Sequence, residues 1–97
     1  AAWGIYYTYG TFHAVRGLRA AGLPADHPAL QRAATWLVRH QKPDGGWGEH
    51  HASCLRAEYV EHPQSQATMT SWAVIALAEV LGASDPAVRR GAEWLAR

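Results

Sequence analysis

The sequence contains little that would mark a secreted, membrane-spanning or nucleic-acid-binding protein. Its 97 residues include one cysteine, so no internal disulfide is possible and a reducing compartment is expected. No apolar run reaches the length of a membrane span, and no signal peptide opens the chain. Nine basic residues against eight acidic ones leave no charge excess for nucleic acid. The length allows one small domain or a few repeat units.

Phenylalanine is also scarce, with a single copy, whereas the chain has five tryptophans and four tyrosines. Indole and phenol groups combine a large apolar face with a polar atom. This aromatic content is typical of side chains that hold neighbouring segments together by packing, or of a pocket lined with aromatic faces.

Apolar spacing predicts four helices and one long loop, separated by turn-forming glycines and prolines. A loop as long as the one predicted here is more often functional than a mere connector. The predicted segments are an extended or loop lead-in over 1–10, a helix over 11–21 capped by Thr8 or Thr11, a helix from an Asp26 cap to about Gln41, a polar loop over 42–63, a helix from Ser65 or Gln66 to Leu81, and a helix restarting at Ser84, Asp85 and Pro86 and running to Arg97.

Residues 32–47 predict a helix end that is closed by a tight turn. Pro43 stops the helix, and Gly45 supplies turn chemistry. The amide of Gln41 has enough donors and acceptors to tie the free helix carbonyls to this turn. We expect the indole of Trp47 to pack over that amide. The stretch is a staple between a helix end and the next segment, and its helical stripe comprises Ala33, Trp36, Leu37 and His40.

An internal repeat relates the second and last predicted helices. Residues 28–37 match residues 86–95, and each copy follows an apolar helix that ends in glycine, at Gly22 or Gly82. Two helix pairs cannot bury both faces of every helix, so more pairs are expected. The sequence therefore predicts an all-α fold, an α/α barrel (toroid) repeat of about two helix pairs. We expect residues 1–97 to be a fragment of one such domain, incomplete at both ends.

The stretch around the turn resembles the repeated QW motif of triterpene cyclases. That motif runs from a basic and a small residue through an aromatic and aliphatics to Gln, a spacer and Gly-x-Trp. Seven typed positions are filled at the right spacings, and the wider resemblance covers almost the whole chain. The matching residues are Arg32, Ala33, Trp36, Leu37, Gln41, Gly45 and Trp47.

Two branches of this family compete. Squalene-hopene cyclases commonly carry a cysteine where this chain has His51, whereas oxidosqualene cyclases of the lanosterol-synthase type resemble it at Ser53 and Cys54. Residues 58–60 and 64–66 also look more like the sterol-forming branch. We interpret the chain as part of an oxidosqualene cyclase. The alternatives are a squalene-hopene cyclase, or a non-catalytic α/α toroid module or prenyltransferase-like subunit.

The resemblance implies an isomerase built from two α/α-barrel domains. In such enzymes a buried aspartic acid protonates the terminal epoxide or alkene of 2,3-oxidosqualene or squalene, and aromatic faces steer the resulting cations. The acid motif and the membrane-binding helix are expected in the remainder of the cyclase chain, so these residues alone should be inactive. The implied location is membrane-associated on the cytoplasmic side, and the alanine and arginine usage is typical of a GC-rich bacterial source.

Two residues are candidates for the reaction site. Cys54 resembles the cysteine that hydrogen-bonds to the catalytic aspartate, although an inert buried cysteine is the structural alternative. Tyr9 resembles a tyrosine that lines the cyclisation cavity, and its alternative is a loop tyrosine packed on a helix cap. For Glu49 we expect a capping or loop hydrogen bond rather than an acid–base role.

We expect no cofactor and no metal. Three histidines lie near Cys54, but their spacing fits no standard zinc-ligand pattern. Tryptophans on helix faces are more often core than cavity. The histidines are His50, His51 and His62, and the tryptophans are Trp36, Trp72 and Trp94.

Overall fold

The structure is a computed structural model that describes residues 6–97. It contains five helices and, within that range, no strand. An isolated antiparallel bridge joins Glu49 to Glu61. The predicted all-α class is therefore confirmed. The helices are α1 (Tyr7–Ala20), α2 (Pro28–Arg39), α3 (Ala52–Arg56), α4 (Ala67–Leu81) and α5 (Pro86–Leu95).

Helix α4 is the centre of the fold. It packs most extensively on α1 and also contacts α2 and α5, while α1 contacts α2. The pairs α1–α2 and α4–α5 are thus two helix hairpins side by side, in a slab 33 × 31 × 18 Å. The central position agrees with the sequence of α4, which is apolar on most sides. Its buried residues are Met69, Thr70, Ala73, Ala76, Leu77 and Val80.

Helices α2 and α5 are amphipathic and bury one face each. In α2 the fully buried residues are Leu30, Ala34 and Leu37, while Ala33 and Trp36 of the predicted stripe pack at the margin of the core. In α5 the buried residues are Ala87, Val88 and Gly91. Leu37 of the predicted stripe is therefore confirmed as buried, whereas its buried neighbours are Leu30 and Ala34.

The start of α1 differs from the prediction. The helix begins at Tyr7 rather than Thr11, and neither Thr8 nor Thr11 is its cap. Both threonines lie inside the helix, because a carboxylate from a distant loop accepts the first helix amides. The first half of the predicted extended lead-in, residues 1–5, lies outside the described residues.

Other helix ends also move slightly. His27 caps α2, accepting from Ala29 N through Nδ1 at 3.1 Å, so the predicted Asp26 cap is wrong by one residue. Helix α2 ends at Arg39 rather than Gln41, and α5 ends at Leu95 rather than Arg97. The predicted loop over 42–63 contains the short helix α3. The predicted Asp85 cap of α5 is confirmed, with Oδ1 accepting from Ala87 N at 2.9 Å.

Candidate functional site

The turn after α2 is closed by a glutamine and a tryptophan that bind different partners. The Gln41 amide donates to Gly45 O in the turn and to Ala87 O in α5, both at 2.9 Å. The indole Nε1 of Trp47 donates to Leu37 O, a carbonyl near the end of α2, at 2.8 Å. The helix carbonyl is therefore satisfied by the indole and not by the amide as expected. The amide instead joins the first helix pair to the second.

Trp47 fills the space between the two hairpins. Its side chain is fully buried, and it belongs to the core cluster with Leu37 of α2 and Val88 of α5. Gly91 makes room for it, because a Cβ there would lie 3.0 Å from Trp47 Cζ3 and 2.5 Å from Val74 Cγ2. The turn itself requires Gly45, which has a φ of +99°.

Two charged side chains, one in α5 and one in the turn, connect this turn to α5. Arg90 donates to Gln41 Oε1 at 2.7 Å. Asp44 accepts from Ser65 Oγ at 2.6 Å and from Trp94 Nε1 at 3.1 Å. The hydrogen bonds from Ser65 and from the Gly46 amide lower the pKa of Asp44. Thus the predicted core residue Trp94 is a half-buried donor, and the basic partner of the glutamine comes from α5. Arg32, the basic residue of the motif, lies on the exposed side of α2.

Just after the turn, Glu49 carries a buried carboxylate that caps α1. Oε2 accepts from Tyr7 N, while Oε1 accepts from Thr8 N and from Thr8 Oγ1, all at 2.8 Å. The backbone amide of Glu49 donates to Gln66 Oε1 at 3.0 Å, immediately before α4. The expected capping role of Glu49 is therefore observed, on a helix 41 residues earlier in the chain.

Cys54 lies in α3 and is half-buried. Burial raises the pKa of the phenol of Tyr6, the residue immediately before α1, and a side-chain hydrogen bond with Cys54 raises it further. The neighbouring Ser53 is fully buried and accepts from Val60 N at 2.8 Å, which fixes α3 against the returning segment of the loop. The loop thus delivers the thiol to the start of α1.

Tyr9 lies in the first turn of α1 rather than in a loop. Its half-buried ring packs on Trp72 of α4, with ring centroids 4.6 Å apart, and contacts the His13 ring edge-on at 4.4 Å. Phe12 completes the group, 6.4 Å from Tyr9. Because Tyr6 immediately precedes α1 and Tyr9 lies in its first turn, both candidate site residues, Cys54 and Tyr9, depend on where that helix begins.

A second aromatic group, not identified from the sequence, holds the far end of the loop. Tyr59 packs edge-on against Trp36 at 5.1 Å and lies 4.2 Å from the His40 ring. Its hydroxyl donates to Gly48 O at 3.2 Å. Burial raises the pKa of Tyr59, and the negative charges of nearby acidic side chains raise it further, so the phenol stays protonated and can donate. Burial lowers the pKa of His40.

The three loop histidines form a row of rings. His50 lies 4.3 Å from His51 and 5.8 Å from His62. His50 and His62 each accept a hydrogen bond from a backbone amide through Nδ1. The Nδ1 atoms of both rings are therefore used in local turns. Across residues 6–97 no three His, Cys, Asp or Glu side chains converge as a metal site.

The chain resembles known proteins over its whole length. The profile of the family described as squalene-hopene cyclase C-terminal domain matches residues 1–97. The chain is 44% identical over 96 residues to a squalene–hopene cyclase of Zymomonas mobilis, covering 98% of this chain and 15% of that protein. It is 41% identical over 95 residues to a squalene–hopene cyclase of Bradyrhizobium diazoefficiens, covering 96% and 14%. It is also 38% identical over 79 residues to a lanosterol synthase of Aspergillus fumigatus, covering 80% and 10%.

Paired helices closed by a glutamine–tryptophan turn define the class as an α/α toroid segment. Within that class the chain belongs to the triterpene cyclase family. It spans 15% or less of the length of the three relatives above. In the described part of the chain, no helix has the length and apolarity to cross a bilayer.

Proposed function

We propose that this chain is part of an isomerase that cyclises 2,3-oxidosqualene to a sterol-type triterpene by an acid-initiated cationic reaction. The observation that carries the proposal is the contact of Cys54 with Tyr6 at the start of α1, one helical turn before Tyr9. A thiol and an aromatic ring are thereby both tied to the start of α1, and a neutral hydrogen-bond donor and an aromatic face are the two groups that such a reaction uses.

The two groups serve different steps. A thiol is a weak, uncharged donor, and donation to the anion of the catalytic aspartic acid would make that acid stronger. The aspartic acid belongs to the remainder of the cyclase chain. The Tyr9 ring, supported by Trp72, offers a face that stabilises a carbocation without attacking it. No cofactor enters this chemistry.

A second candidate substrate is squalene. The relatives named squalene–hopene cyclase, at 44% and 41% identity, favour this reading. The Ser53–Cys54 pair, which resembles the oxidosqualene cyclases, favours 2,3-oxidosqualene as the substrate. Both candidates are apolar polyenes, and we propose that the complete protein takes its substrate from a membrane that it contacts through other segments. Residues 1–97 are then part of one α/α-barrel domain, with the remainder of the cyclase as the partner of its exposed faces.

The intact protein, supplied separately with squalene and with 2,3-oxidosqualene, tests the substrate. Sterol-type product from the epoxide, with slow or no turnover of squalene, is the expected result. Hopene-type product from squalene would favour the second candidate. Absence of cyclised product from either substrate would contradict a cyclase and favour a scaffold role.

Cys54→Ala tests the role of the thiol in the same assay. Loss of one hydrogen bond to the acid predicts roughly a tenfold fall in kcat, with an unchanged circular dichroism spectrum. Arg56→Ala is the matched control, because Arg56 is an exposed residue of the same short helix. Wild-type turnover in Cys54→Ala would remove Cys54 from the site.

A further inference from the structure

The carboxylate of Glu49 is one of the most deeply buried polar groups of the described chain, with 1% of its residue surface exposed. Both oxygens are used, and all three hydrogen bonds they accept come from Tyr7 and Thr8 of α1. The two ion pairs of residues 6–97 involve other residues. The negative charge is therefore stabilised by helix amides and the positive end of the helix dipole.

Helix α1 depends on this arrangement. Its own N-cap residue, Tyr6, makes no side-chain capping bond. A helix without a local cap leaves its first amides to be satisfied by another part of the chain or by water. Glu49 supplies that partner from a distant loop, so the place at which α1 begins is set by the loop and not by the helix.

The loop around Glu49 is itself fixed on both sides. The bridge to Glu61 is completed by His50 N donating to Val60 O at 2.7 Å and His62 N donating to Gly48 O at 2.9 Å. This bridge encloses α3, which carries Cys54. One residue thus connects the backbone that holds Cys54 with the helix turn that holds Tyr9.

We infer that Glu49 is a positioning residue for cyclisation, which fixes the thiol of Cys54 and the ring of Tyr9 relative to each other through the first turn of α1. The inference rests on the proposed function. Cationic ring closure depends on the position of aromatic faces to within about 1 Å, since small misplacements of a catalytic group cost large factors in rate. Glu49 touches neither the substrate nor the thiol in this account and acts only through α1.

Glu49→Gln in the intact enzyme tests this role. An amide has one acceptor oxygen, and its NH2 group would face a helix N–H, so at least one of the three hydrogen bonds is lost. We expect kcat to fall roughly tenfold, while KM for the epoxide stays within about twofold. Hydrogen exchange at Tyr7 and Thr8 should accelerate by a similar factor.

Glu61→Gln is the matched control, because Glu61 is the bridge partner of Glu49 but exposes its side chain and pairs with Lys42. It should leave kcat, KM and exchange at α1 unchanged. Thr8→Val is a milder second variant that removes one hydrogen bond and keeps the two amide bonds. It should lower kcat by a smaller factor in the same direction.

The kcat of each variant is calculated per folded molecule, and the folded fraction is determined by circular dichroism. Wild-type kcat in folded Glu49→Gln and Thr8→Val would overturn the inference and leave Glu49 with a purely structural role. A wild-type enzyme that cyclises neither substrate would instead overturn the proposed function, and with it any catalytic positioning. Exchange at Tyr7 and Thr8 would then still report whether Glu49 holds the turn.

Discussion

The first and second helices of each pair begin in different ways. The second helices, α2 and α5, are capped by the residue immediately before a Pro-Ala start, His27 in one and Asp85 in the other. The first helices, α1 and α4, have no side-chain cap of their own. Their starts are bound by residues 47–49 of the segment after the glutamine–tryptophan turn.

The segment binds the two first helices by different groups. Glu49 caps α1 with its carboxylate. The backbone of Trp47 supports α4, since Trp47 O accepts from Gln66 N at 2.7 Å and Trp47 N donates to Thr70 Oγ1 at 2.9 Å. The second helices are therefore locally encoded, whereas the first helices are positioned by the tertiary fold.

The largest effect should come from Trp47→Ala, which removes a fully buried side chain from the core shared by both hairpins. A fully buried tryptophan truncated to alanine costs about 3–5 kcal/mol. Residues 47–49 bind the starts of α1 and α4, and they would lose their buried side chain as well. We therefore expect α1 and α4 to lose exchange protection together with α2 and α5. Thermal unfolding and hydrogen exchange of the intact protein measure this, and a loss restricted to one hairpin would contradict it.

Gly91→Ala should have the next largest effect. The added Cβ would overlap Val74 and press on Trp47, and overpacking of this kind costs about 1–3 kcal/mol. The equivalent position of the first copy is Ala33, so Ala33→Gly is the reciprocal control and should cost only about 1 kcal/mol through helix propensity. Hydrogen exchange should show a larger loss of protection in α5 of Gly91→Ala than in α2 of Ala33→Gly. Equal losses would mean that the two helices are packed equally tightly at these positions.

Asp85→Ala should affect one second helix alone. Loss of a local N-cap costs about 1 kcal/mol, because one helix amide is left to water. Exchange should accelerate in the first turn of α5 and stay unchanged in α1 and α4. Accelerated exchange at α1 would mean that the second helices are not independently capped.

Asp44→Asn should have the smallest effect, and a pH-dependent one. The folded-state pKa of Asp44 lies below its ordinary value of 3.8 because of the hydrogen bonds from Ser65 and Gly46. The stabilisation is therefore present above that ordinary value and is lost as the pH falls through the folded pKa. The variant should melt slightly lower than wild type at pH 7, with a difference below about 1 kcal/mol since Asp44 is exposed, and this difference should narrow as the pH falls below 3.8. A difference that stays constant as the pH falls would contradict this assignment.

The same division explains what the sequence could and could not predict. Proline, glycine and the Asp85 cap are local signals, so the second helices and the stops at Gly22 and Gly82 could be read directly, with errors of a residue or two. The start of α1 could not be predicted from the sequence, because its cap, Glu49, lies 41 residues away from Thr8 in the chain. Tyr6 was missed as the partner of Cys54 for the same reason.

The glutamine illustrates this limit within the motif itself. Its closure of the turn through Gly45 was predictable from spacing, but its second bond, to Ala87, depends on α5 being packed alongside. A capping role for Glu49 was foreseeable from its residue type, whereas the identity of the helix was not.

The most direct measurement compares two carboxylate-to-amide substitutions, Glu49→Gln and Asp85→Asn, by native-state hydrogen exchange of the intact protein. Asparagine caps a helix about as well as aspartate, so Asp85→Asn should change the opening free energy of α5 by less than about 0.5 kcal/mol. Glu49→Gln should destabilise the start of α1 by about 1–3 kcal/mol, because its carboxylate has no local replacement. Equal, small changes at both helix starts would contradict the dependence of α1 on the carboxylate of Glu49.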